Sequence, residues 1–185
     1  MQIISGKFRA RKLIAVDSEG TRPTLARVKE SIFNIIQMKV AGSVVLDLFA
    51  GSGAFGAECL SRYAEKVFFF DNASKAIDTI KHNTRNMGDN FEVAKFDYKV
   101  ALTKLAEREL QFDIIYLDPP YKSDYAVESL KLISEYNLLK KDGIIVIEHE
   151  FENDLQNIPI CYIIEKSKKY GIAYVDILKQ TETKE

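Results

Sequence analysis

The sequence predicts an α/β protein: a doubly wound, mostly parallel sheet of seven strands with an antiparallel strand at one edge. Three observations carry this. Short apolar runs rich in β-branched and aromatic residues alternate with helix-competent segments, the pattern of a parallel sheet with right-handed crossovers. One such run, Val44 to Phe49, breaks into Ala50-Gly51-Ser52-Gly53 before a helix opens at Ala54. The last two strand-like runs have no helix between them, so they must pair antiparallel at one side.

The elements follow in order. Residues 1–20 read as a basic hairpin or arm, with the apolar pieces Gln2-Ile3-Ile4 and Leu13-Ile14-Ala15-Val16 flanking the cationic SGKFRARK. Arg22-Pro23-Thr24 starts a helix with Thr24 as its cap, and Val28, Ile32, Ile35 and Ile36 share one face at helical spacing. After Gly42 comes the first core strand. Then KVFFFD (Lys66 to Asp71) is a strand, Ala73 to Asn86 a helix, Phe91 to Phe96 a strand and Val100 to Leu110 a helix. Ile114 to Leu117 is a strand, Tyr125 to Tyr136 a helix and Gly143 to Glu150 the fifth strand. Cys161 to Glu165 and Ala173 to Leu178 complete the seven, joined by a turn containing Gly171. Two units result, an N-terminal arm and helix over residues 1–40 and the α/β domain over 41–185.

The bulk properties fit one domain of 185 residues, 46% of them hydrophobic, with a net charge of −1. That charge is unevenly spread. Residues 1–39 hold eight Lys and Arg against three acids, a net of +5, which leaves −6 on the remainder. Such asymmetry is either a solvated face or the footprint of a polyanion. The two cysteines, Cys59 and Cys161, lack metal-like spacing and suit a reduced, cytoplasmic protein. No metal site is expected, and no apolar run reaches the roughly 20 residues that span a bilayer.

The chemistry sits in two stretches. Gly51, Gly53 and Gly56 fit G-x-G-x-x-G, with Asp71 about 20 residues beyond. A dinucleotide is disfavoured by Asp47 on the strand before the loop, where a carboxylate would repel a pyrophosphate. Asp47 suits a ligand with a cationic amino group, such as the methionine part of S-adenosylmethionine. The second stretch, FDIIYLDPPY, is a strand ending in Asp118-Pro119-Pro120-Tyr121.

Ligands of a doubly wound sheet lie beyond the carboxyl ends of its strands. There Asp47 would hold the methionine amino group, with Phe49, Ala50, Gly51 and Gly53 packed under the cofactor. Asp71 and Asn72 would meet the ribose, and Asp97 with the Tyr98 amide would read the adenine. An exocyclic amine on a planar ring is a poor nucleophile, because its lone pair is delocalised. The Asp118 carboxylate and Pro119 carbonyl can accept both its N–H groups, the prolines fix the loop, and Tyr121 offers a stacking face. A strand-end Asp is also a common helix cap or turn former, and that reading stands beside each of these assignments. His82 reads as a surface residue, and His149 lies near enough to the rim to touch substrate.

Taken together, the two stretches resemble motifs I and IV of S-adenosylmethionine-dependent amino-methyltransferases. Over nearly its whole length the chain also resembles the bacterial 16S ribosomal RNA guanine-N2 methyltransferases of the RsmD family. The matching pieces are IISGKFRARKL, RPTLARVKESIFN, VLDLFAGSGAFG, FDIIYLDPPY and the late KKYG. The arm joined to RPT-x-x-RVKE is the most specific of them. The resemblance implies a Rossmann-like methyltransferase fold and S-adenosylmethionine as cofactor. As substrate it implies a guanine N2 of ribosomal RNA, within a partly or fully assembled small subunit, acted on by a monomer. It implies Asp118, Pro119, Pro120 and Tyr121 as the catalytic loop and an RNA-binding arm using Lys7, Arg9, Arg11, Arg22 and Arg27. The chain departs from the family pattern at Ser5, Ala10 and Tyr63, where glycine is frequent, and at Asp71, where Glu is usual. Three rivals share parts of the pattern: a DNA adenine-N6 or cytosine-N4 methyltransferase, a dinucleotide oxidoreductase, and a non-catalytic RNA-binding module.

Overall fold

A computed structural model describes residues 1–16, 23–120, 124–149, 155 and 157–181, without the side chains of 23–26. Its elements are α1 (Pro23–Val40), β1 (Val44–Asp47), α2 (Ala54–Ser61), β2 (Lys66–Asp71), α3 (Ser74–Thr84), β3 (Phe91–Lys95), α4 (Tyr98–Glu107), β4 (Phe112–Leu117), α5 (Tyr125–Glu135), β5 (Leu139–His149), β6 (Tyr162–Tyr170) and β7 (Ala173–Gln180). The sheet order is β3-β2-β1-β4-β5-β7-β6. β1 through β5 pair in parallel, while β7 runs antiparallel to both β5 and β6. The chain builds outward from β1 to β3, then crosses back to β4. This reversal opens a crevice between β1 and β4.

β2 shows why its sequence is a nearly unbroken apolar run. Val67 and Phe69 join the core layer of Ile32, Phe33 and Phe55 from α1 and α2. Phe68 and Phe70 join the opposite layer, with Leu102 of α4 and Leu130 of α5. A strand covered on both faces has no polar side to show. Each such buried side chain contributes about 1.5–3 kcal/mol. At Gly56 a Cβ would fall 2.2 Å from the Phe69 ring, so the third glycine of the motif lets α2 lie close on β2.

Several boundaries differ from the sequence reading, each for a local reason. α1 begins at Pro23, one residue before the expected Thr24 cap, consistent with proline's fit to a first helical position. β1 ends at Asp47 rather than Phe49, because the chain turns there to enter the glycine loop. α4 starts at Tyr98, two residues early, since the Asp97 side chain accepts the Lys99 amide hydrogen and caps it. β5 starts at Leu139, four residues early, where a register shift against β4 lets Leu139 pair with Phe112. β6 runs on to Tyr170 because β7 offers it a partner along its whole length.

The N-terminal segment is a tight hairpin. A single bridge joins Gln2 to Lys12, and the Ile3 amide donates to the Arg11 carbonyl at 3.0 Å. Ile3 and Leu13 are buried in the same layer as α1 and α2. The hairpin is fastened by Glu58 of α2, which is fully buried. This carboxylate accepts the amides of Ile4 (2.7 Å) and Ser5 (3.0 Å) and pairs with Lys29 (3.2 Å) and Arg62 (2.8 Å). Beyond it, the Lys7 amide donates to the Ser61 carbonyl at 2.8 Å. The hairpin tip therefore lies at the C-terminal end of α2, about 12 Å of helical rise from the glycine loop.

Cys59 is a buried core residue, and Cys161 is half-buried with its thiol 3.1 Å from the Ser134 hydroxyl. None of the described helices is long and apolar enough to cross a membrane.

Candidate active site

At the β1/β4 crevice lies a cleft of about 330 Å³. Its walls include Phe49, Gly51, Asp71, Asn72, Asp97, Tyr98, Asp118, Pro119 and Pro120, nine of the residues singled out from sequence. Leu48, Phe96 and Tyr125 also line it and carried no such signal. Tyr125 opens α5 after the Asp-Pro-Pro loop, and only the fold brings it back over the cleft. Tyr121 and Arg22 lie outside the described residues.

The glycine loop is shaped from two sides. Gly51 and Gly53 have φ of +51° and +71°, conformations that other residues adopt only with strain. The Asp71 carboxylate reaches across from β2, accepting the Gly51 amide hydrogen at 2.9 Å and that of Ala73 at 2.9 Å. Asp71 thus organises the floor as well as facing the cleft. Ala50 sits in the same turn, buried, its amide donating to the Phe70 carbonyl.

Asp47 is under the floor, not on the wall. It is 1% exposed, and one carboxylate oxygen accepts the Gly56 amide hydrogen at 3.1 Å. Its other oxygen has no partner among the described residues. Burial, reinforced by the Asp71 and Glu148 charges, pushes its carboxyl up to about 7, against the opposing Gly56 hydrogen bond.

The far wall is aromatic. The Phe49 ring lies 5.5 Å from Tyr98 and 6.5 Å from Tyr125, the latter pair nearly parallel at 5°. Tyr98 and Tyr125 are 5.0 Å apart. The Tyr98 hydroxyl donates to Glu128 of α5, and burial together with that carboxylate raises the phenol above its ordinary value. The pairing fixes the Tyr98 ring against the cleft. An apolar planar surface beside Asp97, Asn72 and Asp71 suits a purine nucleoside, with the acids placed for hydroxyl and amino donors.

At the inner end, Asp118 is half-buried. Burial, then the Glu148 and Asp47 carboxylates, push its carboxyl well above the usual range. Glu148 is likewise raised by burial, moderated by the Tyr116 hydroxyl, which donates to it. Glu148 carried no signal in the sequence beyond ending the fifth strand.

The histidines stand apart from this site. His82 is exposed on α3. His149 is 6% exposed, its Nε2 3.0 Å from Asp176 and its ring 5.5 Å from Tyr174. It is held between β5 and β7, away from the cleft walls.

A doubly wound seven-stranded sheet with one reversed strand, β7, inserted between β5 and the edge strand β6, with a glycine loop after β1 and Asp-Pro-Pro after β4, defines a Rossmann-like methyltransferase. A family model described as Conserved hypothetical protein 95 matches residues 1–179. The chain belongs to this family, among whose members are proteins named ribosomal RNA small subunit methyltransferase D. One of these, from Haemophilus influenzae, is 37% identical, the alignment covering 93% of this chain and 90% of the relative. YlbH of Bacillus subtilis, provisionally named an rRNA methyltransferase, is 43% identical over 97% of this chain and 99% of its own. The solved structure of yhhF from Escherichia coli, provisionally named a methyltransferase, superposes with a TM-score of 0.85 at 28% identity, covering 99% of both chains.

Proposed function

We propose that this protein is an S-adenosylmethionine-dependent methyltransferase acting on the exocyclic N2 amino group of a guanine in 16S ribosomal RNA. The observation that carries this is the common cleft. The Asp118-Pro119-Pro120 loop, suited to an amine, lines the same cleft as Asp71, Asn72 and Asp97, suited to an adenosine. The unpartnered Asp47 oxygen beneath them fits a cationic amino group, and the names of the relatives supply ribosomal RNA as substrate class.

The bound cofactor supplies an electrophilic methyl group on a sulfonium. The protein's part is to hold the amine in line with it and to take up a proton. Asp118 and the Pro119 carbonyl accept the two N–H groups and turn the nitrogen lone pair toward the methyl. Most of the acceleration comes from this positioning. Residues 1–40 form the RNA-binding extension of a catalytic domain over 41–185. Arg9 and Lys29 border a hollow of about 410 Å³ between the hairpin and α1, where phosphates can dock. The guanine must leave its stack to reach the cleft. The enzyme works as a cytoplasmic monomer on a partly or fully assembled small subunit.

Mass spectrometry of ribosomal RNA nucleosides with and without the gene tests the activity; loss of one N2-methylguanine is expected, and an unchanged profile refutes it. Asp118→Ala separates the roles: methyl transfer should vanish while cofactor affinity survives. Near-normal single-turnover rates in that variant would remove Asp118 from the mechanism.

A further inference from the structure

Asp118 lines the inner end of the cleft, and the Glu148 and Asp47 carboxylates lie near enough behind it to act on its charge, so the methyl transfer proposed there uses only part of what this group offers. Parallel pairing sets Leu117 beside Ile147, so Asp118 and Glu148 follow as neighbours at the ends of β4 and β5. Side chains alternate along a strand, so Asp118 shares the face of Tyr116, and Glu148 the face of Val146, Tyr116's register partner. The Tyr116 hydroxyl donates to Glu148, and its ring stacks on Phe55 at 3.9 Å and 4°, which fixes the hydroxyl's aim. Asp47 approaches from β1. From β7 the register partner of Glu148 is the apolar Val175. Among the described residues, no group of three or more His, Cys, Asp or Glu side chains is arranged to hold a metal ion.

Two adjacent carboxyls in a low-dielectric site do not both ionise, and they titrate as a pair. Tyr116 stabilises the charge on Glu148, so Asp118 is the member that keeps the proton. Resting on the amine-transfer reading of this cleft, we propose that Glu148 is the terminal proton acceptor of the site, acting through Asp118. When the new N–C bond has replaced the cofactor's S–C bond, the nitrogen is left positively charged with one proton too many. That proton passes to the free oxygen of the Asp118 carboxyl as the proton already on Asp118 moves to Glu148. The amine ends neutral, Glu148 ends protonated, and Asp118 is unchanged in charge. Glu148 is only half-buried, and its proton then returns to solvent.

The sign of a pH shift tests this. Single-turnover methyl transfer to ribosomal RNA should rise with pH as the pair loses its first proton, from Glu148. In Glu148→Gln the half-buried Asp118 must itself ionise, so the rise moves to higher pH, by about one unit or more. Tyr116→Phe, which takes a hydrogen bond from the Glu148 charge, moves it the same way by less. If Glu148 were only a repelling neighbour of Asp118, its removal would move the rise to lower pH, and that result overturns the relay. An unmoved profile overturns it as well, leaving Glu148 a packing role. A second readout needs neither cofactor nor RNA: infrared titration of the carboxylic C=O band in the free protein. The first ionisation step of the pair should survive in Asp118→Asn and disappear in Glu148→Gln, with the Asp47 step common to both. The reverse pattern refutes the assignment. Because this titration involves no methyl transfer, an inactive wild type would refute the proposed function without touching the carboxyl pair.

Discussion

Asp71 holds Gly51 in place: its carboxylate accepts the Gly51 amide hydrogen at 2.9 Å across the gap between β2 and the glycine loop. The same group accepts the Ala73 amide hydrogen, so one side chain braces the loops after both β1 and β2. Asp71→Ala should loosen the cleft floor as well as remove an acceptor for the ligand. Hydrogen bonds to a charged group are worth about 1.5–3 kcal/mol each. Calorimetry should therefore show S-adenosylmethionine affinity falling about tenfold or more. Unchanged affinity in a folded variant would show that Asp71 does neither job.

Asp47 makes the folded protein sensitive to pH from inside. Its carboxyl titrates near 7 in the folded state against 3.8 ordinarily. Above about pH 4 the unfolded chain gives up this proton while the folded protein keeps it, so stability declines as pH rises toward 7 and levels off beyond. Asp47→Asn cannot ionise and removes that decline. Denaturant unfolding should show the variant gaining on the wild type between pH 4 and 7, by up to roughly 4 kcal/mol at 1.36 kcal/mol per pKa unit. A gap that does not vary with pH would mean the carboxyl is not buried as described. In the same variant, cofactor binding should weaken, because the cationic amino group loses its counter-charge.

The hairpin tip and its cations lie at the far end of α2 from the glycine loop. Lys7 and Arg9 are exposed, Arg27 is exposed on α1, and Arg11 is half-buried with its guanidinium donating to the Arg85 carbonyl. Arg9→Ala combined with Arg11→Ala should weaken binding of ribosomal RNA and flatten its salt dependence, by up to about one unit of slope for each phosphate no longer neutralised. Cofactor affinity should not change, since the hairpin tip is at the opposite end of α2 from the glycine loop. An unchanged salt slope would move the phosphate-binding surface elsewhere, with the lysines of β6 (Lys166, Lys168 and Lys169) the first place to look.

Two non-glycine residues carry backbone strain. Ala10 and Tyr63 have φ of +67° and +68°, a left-handed conformation that favours glycine. A left-handed conformation costs a non-glycine residue about 1–2 kcal/mol. Tyr63 is 61% exposed, so little packing goes with its side chain. Tyr63→Gly should raise stability by about 1 kcal/mol after the greater freedom of the unfolded chain is subtracted, and Ala10→Gly should act in the same direction. Thermal denaturation reads both; a lower melting temperature in Tyr63→Gly would show that its exposed ring contributes more than its backbone costs.

The sheet, the glycine loop and most of the cleft wall are written in short stretches of the chain. An apolar run such as KVFFFD needs cover on both faces, and a glycine pair after a strand needs a left-handed turn. Local periodicity and local sterics are set residue by residue, so Gly51, Asp71, Asp97 and Asp118 were legible in advance. What those residues meet is a matter of tertiary packing. Glu58 reads as one acid on an ordinary helix until folding brings Ile4, Ser5, Lys29 and Arg62 to it. Glu148 reads as the end of a strand until the β4–β5 register sets it beside Asp118 and under the Tyr116 hydroxyl. Tyr125 becomes a cleft wall only when α5 packs back toward Phe49 and Tyr98. Asp47 lies beneath the glycine loop and not on the cleft wall, because β1 ends before the turn and aims that side chain at the Gly56 amide. Each of these depends on pairs of residues far apart in the chain, and charge state in particular is set by burial and neighbours, which no single stretch of sequence contains.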